Sequence, residues 1–206
     1  MIHLAQEREI HAVMMEIEYM EDKMAKSKLI TLTQLKCELM KLSNDELISL
    51  VTDIAKNCTK AKEILTIKFV SAGSAEELLE QYKEKIKHEF FPKRGFGRPT
   101  ISKAKKAITD FKVISQDKTL HIDIMLYYVE NCVEFGADID MNESFYSSAE
   151  SVYAQVIKAV NGAGEAIYIK FVDRLKKVAD SASHGWGFHD CMQEMYSNLK
   201  WVKEDE

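Results

Sequence analysis

Apolar residues recur at intervals of three and four positions along most of this chain, which is the spacing of one face of an α-helix. The clearest run is Ala149, Val152, Tyr153, Val156, Ile157 and Val160. Strand signals are nearly absent, because the one β-branched run, ILTIKFV, lies within a helical pattern. The spacing therefore predicts an all-α fold of about eight or nine helices in antiparallel pairs, as an irregular bundle or a short solenoid-like stack.

Helix boundaries are indicated by capping residues and glycines. Three S/T-x-x-E/Q patterns predict helix starts: Thr31 with Gln34, Ser43 with Glu46, and Ser74 with Glu77. The break NGAG at 161–164 is short enough to make its two flanking helices antiparallel. The segment TLHIDIMLYYVENCVEFG at 119–136 has so wide an apolar stripe that we expect a central helix, packed on several sides.

Composition bounds the class of protein. Of the 206 residues, 46% are hydrophobic and 30% charged, which is typical of a soluble globular chain. We expect one helical domain at 28–206 with a basic Pro/Gly break at 92–99, preceded by an N-terminal extension at 1–27 for which Met24 offers an alternative start. Neither an apolar run of about 20 residues nor a secretory leader occurs, so the sequence predicts a cytoplasmic protein without a membrane segment.

The residue types that usually carry chemistry are widely scattered. Cys37, Cys58, Cys132 and Cys191 form neither a Cys-x-x-Cys pair nor a zinc spacing, so we expect four reduced core thiols. His121 with Asp123 and Glu130 with Glu134 do not make a di-iron set, because the chain has no Glu-x-x-His motif. No catalytic residue, metal or cofactor is predicted.

A basic element interrupts the helical pattern. Both prolines of the chain, Pro92 and Pro99, bracket two glycines, and the stretch 92–106 holds six Lys and Arg residues without an acid. A loop of this kind beside a helix start is able to bind phosphate or nucleic acid, with an aromatic ring to stack on a base. The residues for such a site are Lys93, Arg94, Phe96, Arg98, Lys103 and Lys106. A solvated hinge is the favoured interpretation, because charged loops usually only face water.

A second irregular segment is SHGWGFHD at 183–190. His184, Trp186, His189 and Asp190 suggest a ligand-binding turn, an acid–base pair or metal ligands. Packing is the favoured interpretation: Trp186 fills the edge of the core, and Asp190 lies in the first turn of a helix, where a carboxylate suits the dipole. We further predict that this turn and the basic element lie at the same end of the molecule.

Four motifs resemble those of a bacterial family of unknown function. They are LTQLKCELMKLSNDELISLV near the start, EFFPKRG, IDIMLYYVENCVEFG and GWGFHD, and the resemblance extends over about residues 28–201. It implies a helical fold and no activity, cofactor or site residue.

The function predicted from these residues is therefore a non-enzymatic helical interaction or adaptor protein with a protein partner. The alternative is a nucleic-acid or phosphate-binding module built on the element between Pro92 and Lys106. An enzyme or metal site at His184, His189 and Asp190 is the third and least favoured hypothesis.

Overall fold

The structure is a computed structural model, and it describes residues 29–70, 73–93 and 98–202. The described residues form nine α-helices and no strand, which confirms the all-α prediction. The helices are α1 (Leu32–Leu39), α2 (Asn44–Asn57), α3 (Thr59–Phe69), α4 (Ser74–Phe90), α5 (Ile101–Ile114), α6 (Lys118–Asp138), α7 (Glu143–Ala163), α8 (Glu165–Asp180) and α9 (Phe188–Ser197), with a 3₁₀ turn at Gly185–Gly187.

Two of the three predicted capping boxes are present. The Thr31 hydroxyl accepts a hydrogen bond from the Gln34 backbone N–H while the Gln34 side chain accepts one from Thr31. Ser43 and Glu46 bond in the same reciprocal way. The third helix, α4, also begins at Ser74 as predicted, but without a capping box, because Gly73 is its N-cap, in a left-handed conformation with φ 107°. A glycine with free backbone angles replaces the side-chain cap there.

The chain divides into two compact units after Thr52. Helices α1 and α2 bury no residue, and most of their apolar side chains are exposed, Leu32 to 85% and Ile48 to 65%. The predicted domain boundary between residues 27 and 28 lies outside the described residues and stays a prediction.

The core of the second unit is built around α6, as its wide apolar stripe predicts. Twelve of its residues are buried, and it packs against α4, α5, α7 and α8. Phe90 of α4 has edge-on contacts with Tyr128 and Phe135 of α6, with ring centroids 5.8 and 6.1 Å apart. Burial of large aromatic and aliphatic side chains from these five helices is the main stabilising contribution to the fold.

Short connections make successive helices antiparallel from α4 onward. Residues 115–117 join α5 to α6, and Gly164 alone joins α7 to α8, so the predicted NGAG break is narrower than expected. Helices α4, α6 and α8 therefore run toward one end, and α5, α7 and α9 run away from it. We call this end, formed by 91–93, 98–100, 139–142 and 181–187, the Trp186 end; the opposite end holds 115–117 and Gly164.

The prediction that all four cysteines are core thiols is wrong for three of them. All four cysteines are free thiols, and only Cys132 is buried, where burial raises its pKa to about 12. Cys37 and Cys58 are exposed and Cys191 is half-buried. Cys37 lies on α1, which has no buried face among the described residues, so it has no core to enter.

Candidate functional site

The basic element and the SHGWGFHD turn flank the same end of the helices, as predicted. Phe90 ends α4 before the basic element, and Phe188 begins α9 after the turn. Two rings of α7 connect them: Phe145 lies 6.4 Å from Phe90, and Tyr146 lies 5.4 Å from Phe145 and 5.0 Å from Phe188. A continuous aromatic floor therefore underlies both irregular segments.

Trp186 does not fill the edge of the core, so the packing interpretation is wrong. Its side chain is 67% exposed, and its backbone is left-handed, with φ 56° and ψ 22°. Trp186 is the one non-glycine residue with a positive φ among the described residues. The flanking Gly185 and Gly187 let the chain turn through this conformation, which a bulky side chain strongly disfavours. The turn thus directs the indole away from the core.

The two histidines of the turn lie side by side. The ring centroids of His184 and His189 are 4.3 Å apart, and the rings are tilted by 40°. His189 Nδ1 donates to the Ala182 carbonyl oxygen at 3.1 Å, which orients the ring, while the His184 side chain is exposed. The hydroxyl of Ser183, the residue before His184, is buried and has no hydrogen-bond partner among the described residues. Asp190 is in the first turn of α9, as predicted.

The basic element is only partly covered by the structure. Arg94 and Phe96 lie outside the described residues, whereas Lys93, Arg98 and Lys103 are exposed. Lys106 forms an ion pair with Asp110 one helical turn away, at 3.3 Å. Its charge is therefore partly neutralised, and Lys106 is the least suitable of the predicted phosphate ligands.

A cavity of about 440 Å³ opens between the basic element and α7. Its walls include Arg98, Thr100 and Ser102 at the start of α5, and Asn142 and Ser144 at the start of α7. Asn142 caps α7 by accepting from the Phe145 N–H at 3.2 Å, while Thr100 at the start of α5 makes no side-chain cap bond. Two helix N-termini, which favour anions, thus face one cavity beside an arginine.

Sequence reasoning missed the contribution of α7 to this end. The capping residue Asn142 before the apolar run of α7 is a helix-start signal that identifies its N-terminus. The exposed side chains of Phe91 and Ile139, which directly follow α4 and α6, were also missed. Periodicity assigns apolar residues to a core and gives no signal for apolar residues that stay exposed just beyond a helix.

Two of the carboxylates considered for a metal site, Asp123 and Glu130, bind cations of neighbouring helices. Arg174 of α8 donates from Nε and Nη2 to the two oxygens of Glu130, at 2.7 and 2.8 Å, and from Nη1 to Asp123 at 2.7 Å. Lys83 of α4 donates to the other oxygen of Asp123 at 3.2 Å. Burial opposes the charge of Arg174, but the two carboxylates outweigh it and raise the arginine pKa.

Among residues 29–70, 73–93 and 98–202, no three or more His, Cys, Asp or Glu side chains are grouped to hold a metal ion. None of the described helices is both long and apolar enough to cross a membrane.

Comparison with protein families gives one match. The sequence model of the Family of unknown function (DUF6155) matches residues 30–200. Neither the curated proteins nor the solved structures give a match.

Proposed function

The chain belongs to the Family of unknown function (DUF6155), and we propose that it is a non-enzymatic helical module that binds a protein partner through the Trp186 end. Irregular segments on a rigid helical scaffold are where binding residues concentrate. Bacterial origin and a cytoplasmic location stay predictions of the sequence.

The conformation of Trp186 is the observation that supports this proposal most directly. A left-handed backbone at a bulky residue costs roughly 1–2 kcal/mol, and an indole that is 67% exposed regains little of this through packing. Strained residues of this kind are concentrated at functional sites. Tryptophan is also among the residue types enriched at the energetic centres of protein interfaces.

The surroundings of Trp186 indicate the chemistry of the partner. Phe91 and Ile139 add exposed apolar surface to the same end, and Lys93 and Arg98 add positive charge. The partner segment that suits this end therefore presents an apolar or aromatic side chain to the indole and carboxylates to the basic element.

Affinity capture with a matched pair of variants tests the proposal. The full chain, Trp186→Ala and Ile169→Ala are used as baits in lysate of the native organism, with quantitative mass spectrometry of the captured proteins. Ile169 is an ordinary helical residue of α8 with nearly the same exposure, 65%, so it controls for the loss of any exposed apolar side chain.

We expect a partner that the wild type and Ile169→Ala capture equally and that Trp186→Ala loses at least tenfold. All three baits should unfold at similar temperatures, because neither side chain is buried. Equal capture by Trp186→Ala would refute the proposed surface.

The cavity beside Arg98 favours a second function, binding of a phosphate group. Two helix N-termini and one arginine suit a single dianion. Asp138, Asp140 and Glu143 flank the cavity residue Asn142 in sequence, and their charges disfavour a long polyanion such as duplex DNA.

Titration with inorganic phosphate, followed by amide NMR shifts, tests this second function. Shifts are expected in the first turns of α5 and α7, and Arg98→Ala should weaken them while Lys103→Ala, farther along α5, changes them less. If Arg98→Ala leaves the titration unchanged, the cavity does not bind phosphate through this residue.

A further inference from the structure

A second cavity lies away from the Trp186 end, between the end of α5, the first half of α6 and the last turns of α7. Its volume is about 530 Å³, within the range of small-molecule sites. The floor is apolar and includes Ile122 and Met125 of α6 and Ala159 of α7.

The titratable groups around this cavity are all basic. They are Lys112, Lys118, His121 and Lys158, and the described residues that line the cavity include no carboxylate. None of the three lysines forms an ion pair with a described Asp or Glu. The nearest acid in sequence, Asp117, accepts hydrogen bonds from the Thr119 and Leu120 N–H groups as the cap of α6. Its carboxylate therefore already has a structural role.

Lys112 is the most unusual of these groups. Its side chain is half-buried, and its ammonium lies 2.9 Å from the thioether sulfur of Met125, a weak acceptor. Burial lowers the pKa of Lys112. A lysine in the last turn of a helix suits the helix dipole, but that role does not require an ammonium packed against sulfur. A half-buried cation without a carboxylate is unfavourable unless something else supplies the negative charge.

We propose that this cavity binds a small amphipathic anion, with its carboxylate or phosphate head among Lys112, Lys118 and Lys158 and its apolar body on the floor formed by Ile122, Met125 and Ala159. His121 lies on the same wall, with Nε2 at 2.8 Å from the Ser115 carbonyl oxygen, and this hydrogen bond fixes its ring. The head group satisfies the lysines, and the body removes apolar surface from water.

The ligand class follows from the combination of the two features. A purely ionic ligand such as inorganic phosphate leaves the apolar floor in contact with water. A neutral apolar ligand leaves the ammonium groups without a partner. Only a molecule with both parts gains from both, so its affinity should exceed that of either fragment.

Isothermal titration of the full chain with hexyl phosphate, octanoate, inorganic phosphate and hexanol tests the proposal. We expect hexyl phosphate, octanoate or both to bind at least tenfold more tightly than inorganic phosphate and hexanol. The comparison of the two amphipathic probes identifies the preferred head group. Two results would overturn the proposal. One is that inorganic phosphate binds as tightly as both hexyl phosphate and octanoate. The other is that neither hexyl phosphate nor octanoate shows saturable binding at millimolar concentration.

Three variants locate the binding. Lys112→Met and Lys158→Met remove a charge and keep most of the length of the side chain, and each should weaken binding about tenfold, the effect of one charge-assisted hydrogen bond. Gly162→Leu should abolish binding, because residue 162 lines the cavity and a Cβ there meets no atom within 4 Å, so we expect the leucine side chain to take up space in the cavity. Lys170→Met, on α8 and outside the lining, should bind as the wild type does.

Gly162→Leu also keeps the test independent of folding. Leucine is a better helix former than glycine, so this variant should be at least as stable as the wild type. Unchanged binding in both Gly162→Leu and Lys112→Met would show that the anion binds elsewhere.

Discussion

The backbone of Trp186 shows how a single residue can oppose the stability of its fold. Its φ of 56° is a left-handed conformation that costs little for asparagine and is strained for tryptophan. Trp186→Asn should therefore stabilise the protein by about 0.5–1 kcal/mol, whereas Trp186→Ala should be nearly neutral, because alanine keeps most of the strain. Urea denaturation followed by circular dichroism measures both.

The pair of variants separates strain from the loss of the indole. Both remove the exposed ring, so any difference between them reports on the backbone. Equal stabilities for the asparagine and alanine variants would show that position 186 is not strained in solution.

Lys112 is a second residue whose removal should stabilise the fold. Its folded pKa is lowered by burial, so the folded state binds protons less well than the unfolded state. The buried charge therefore destabilises the folded state. This penalty is absent above the unfolded pKa of about 10.4, where the lysine is neutral in both states, and it appears as pH falls through the lowered folded pKa, so it is present at neutral pH.

Lys112→Met should thus be more stable than the wild type at pH 7, by less than about 1 kcal/mol because solvent screens a half-buried charge. The advantage should shrink by pH 10, when the lysine begins to lose its proton. Thermal unfolding of both proteins at the two pH values measures the effect. An advantage that is the same at both pH values would show that packing, rather than charge, sets it.

Individual residues are where sequence reasoning was least reliable. The pattern GWG identified an irregular turn at 185–187, but an apolar residue between glycines is equally compatible with a buried or an exposed ring. In the structure the ring is exposed and φ at Trp186 is positive, and the local pattern encodes neither property. Lys112 gave no signal, because its neighbours Met125 and Lys158 are far away in sequence.

At the scale of single helices, the sequence was more informative. The boxes at Thr31 and Ser43 were predictable because a cap and its partner are three residues apart. The box at Ser74 is absent because Gly73, one residue earlier, is the N-cap and Ser74 is the first helical residue. The apolar faces of α1 and α2 were recognised from their spacing, yet spacing cannot tell whether a face meets a core.

Two neighbouring glycines at the junction of α7 and α8 give a prediction at this scale. Gly162 is helical with open space around it, and Gly164 has φ 99° and ψ 171°, a region that only glycine populates readily. Gly162→Ala should stabilise the protein by up to about 1 kcal/mol through helix propensity. Gly164→Ala should destabilise it by about 1–3 kcal/mol.

Neither glycine has an atom within 4 Å of the position that a Cβ would occupy, so the contrast is purely conformational. Chemical denaturation of the two variants in parallel measures it. Similar effects for both would mean that the single-residue link between α7 and α8 is not specified by Gly164.

At the scale of the whole molecule, the class of fold and the central position of α6 were predictable, because both follow from apolar spacing. The convergence of the basic element and the Trp186 turn was also predictable, because short connections make successive helices antiparallel. The ion-pair network of Arg174 was not, since its partners Asp123 and Glu130 are 51 and 44 residues away in sequence. Long-range polar pairing leaves no local pattern.

That network links α4, α6 and α8, and its removal gives the last prediction. Arg174→Met should destabilise the protein by about 2–3 kcal/mol at pH 7. This is somewhat less than the cost of removing one partner of a fully buried ion pair, because the arginine side chain is one-third exposed. Lys176→Met on the same helix removes an exposed pair with Asp180 and should cost no more than about 0.5 kcal/mol.

The same variant should be partly rescued by removing the charge of Glu130. Without Arg174, Glu130 is a half-buried carboxylate with no cation, while Asp123 keeps Lys83. A partly buried carboxylate without a partner is costly, so the double variant Arg174→Met, Glu130→Gln should be more stable than Arg174→Met alone. The stability gap to the wild type should therefore narrow by about 1 kcal/mol when Glu130→Gln is added, measured by urea denaturation at pH 7. A gap that stays constant would mean that Arg174 stabilises the bundle through its packing on Phe171, 5.7 Å away, rather than through its charge.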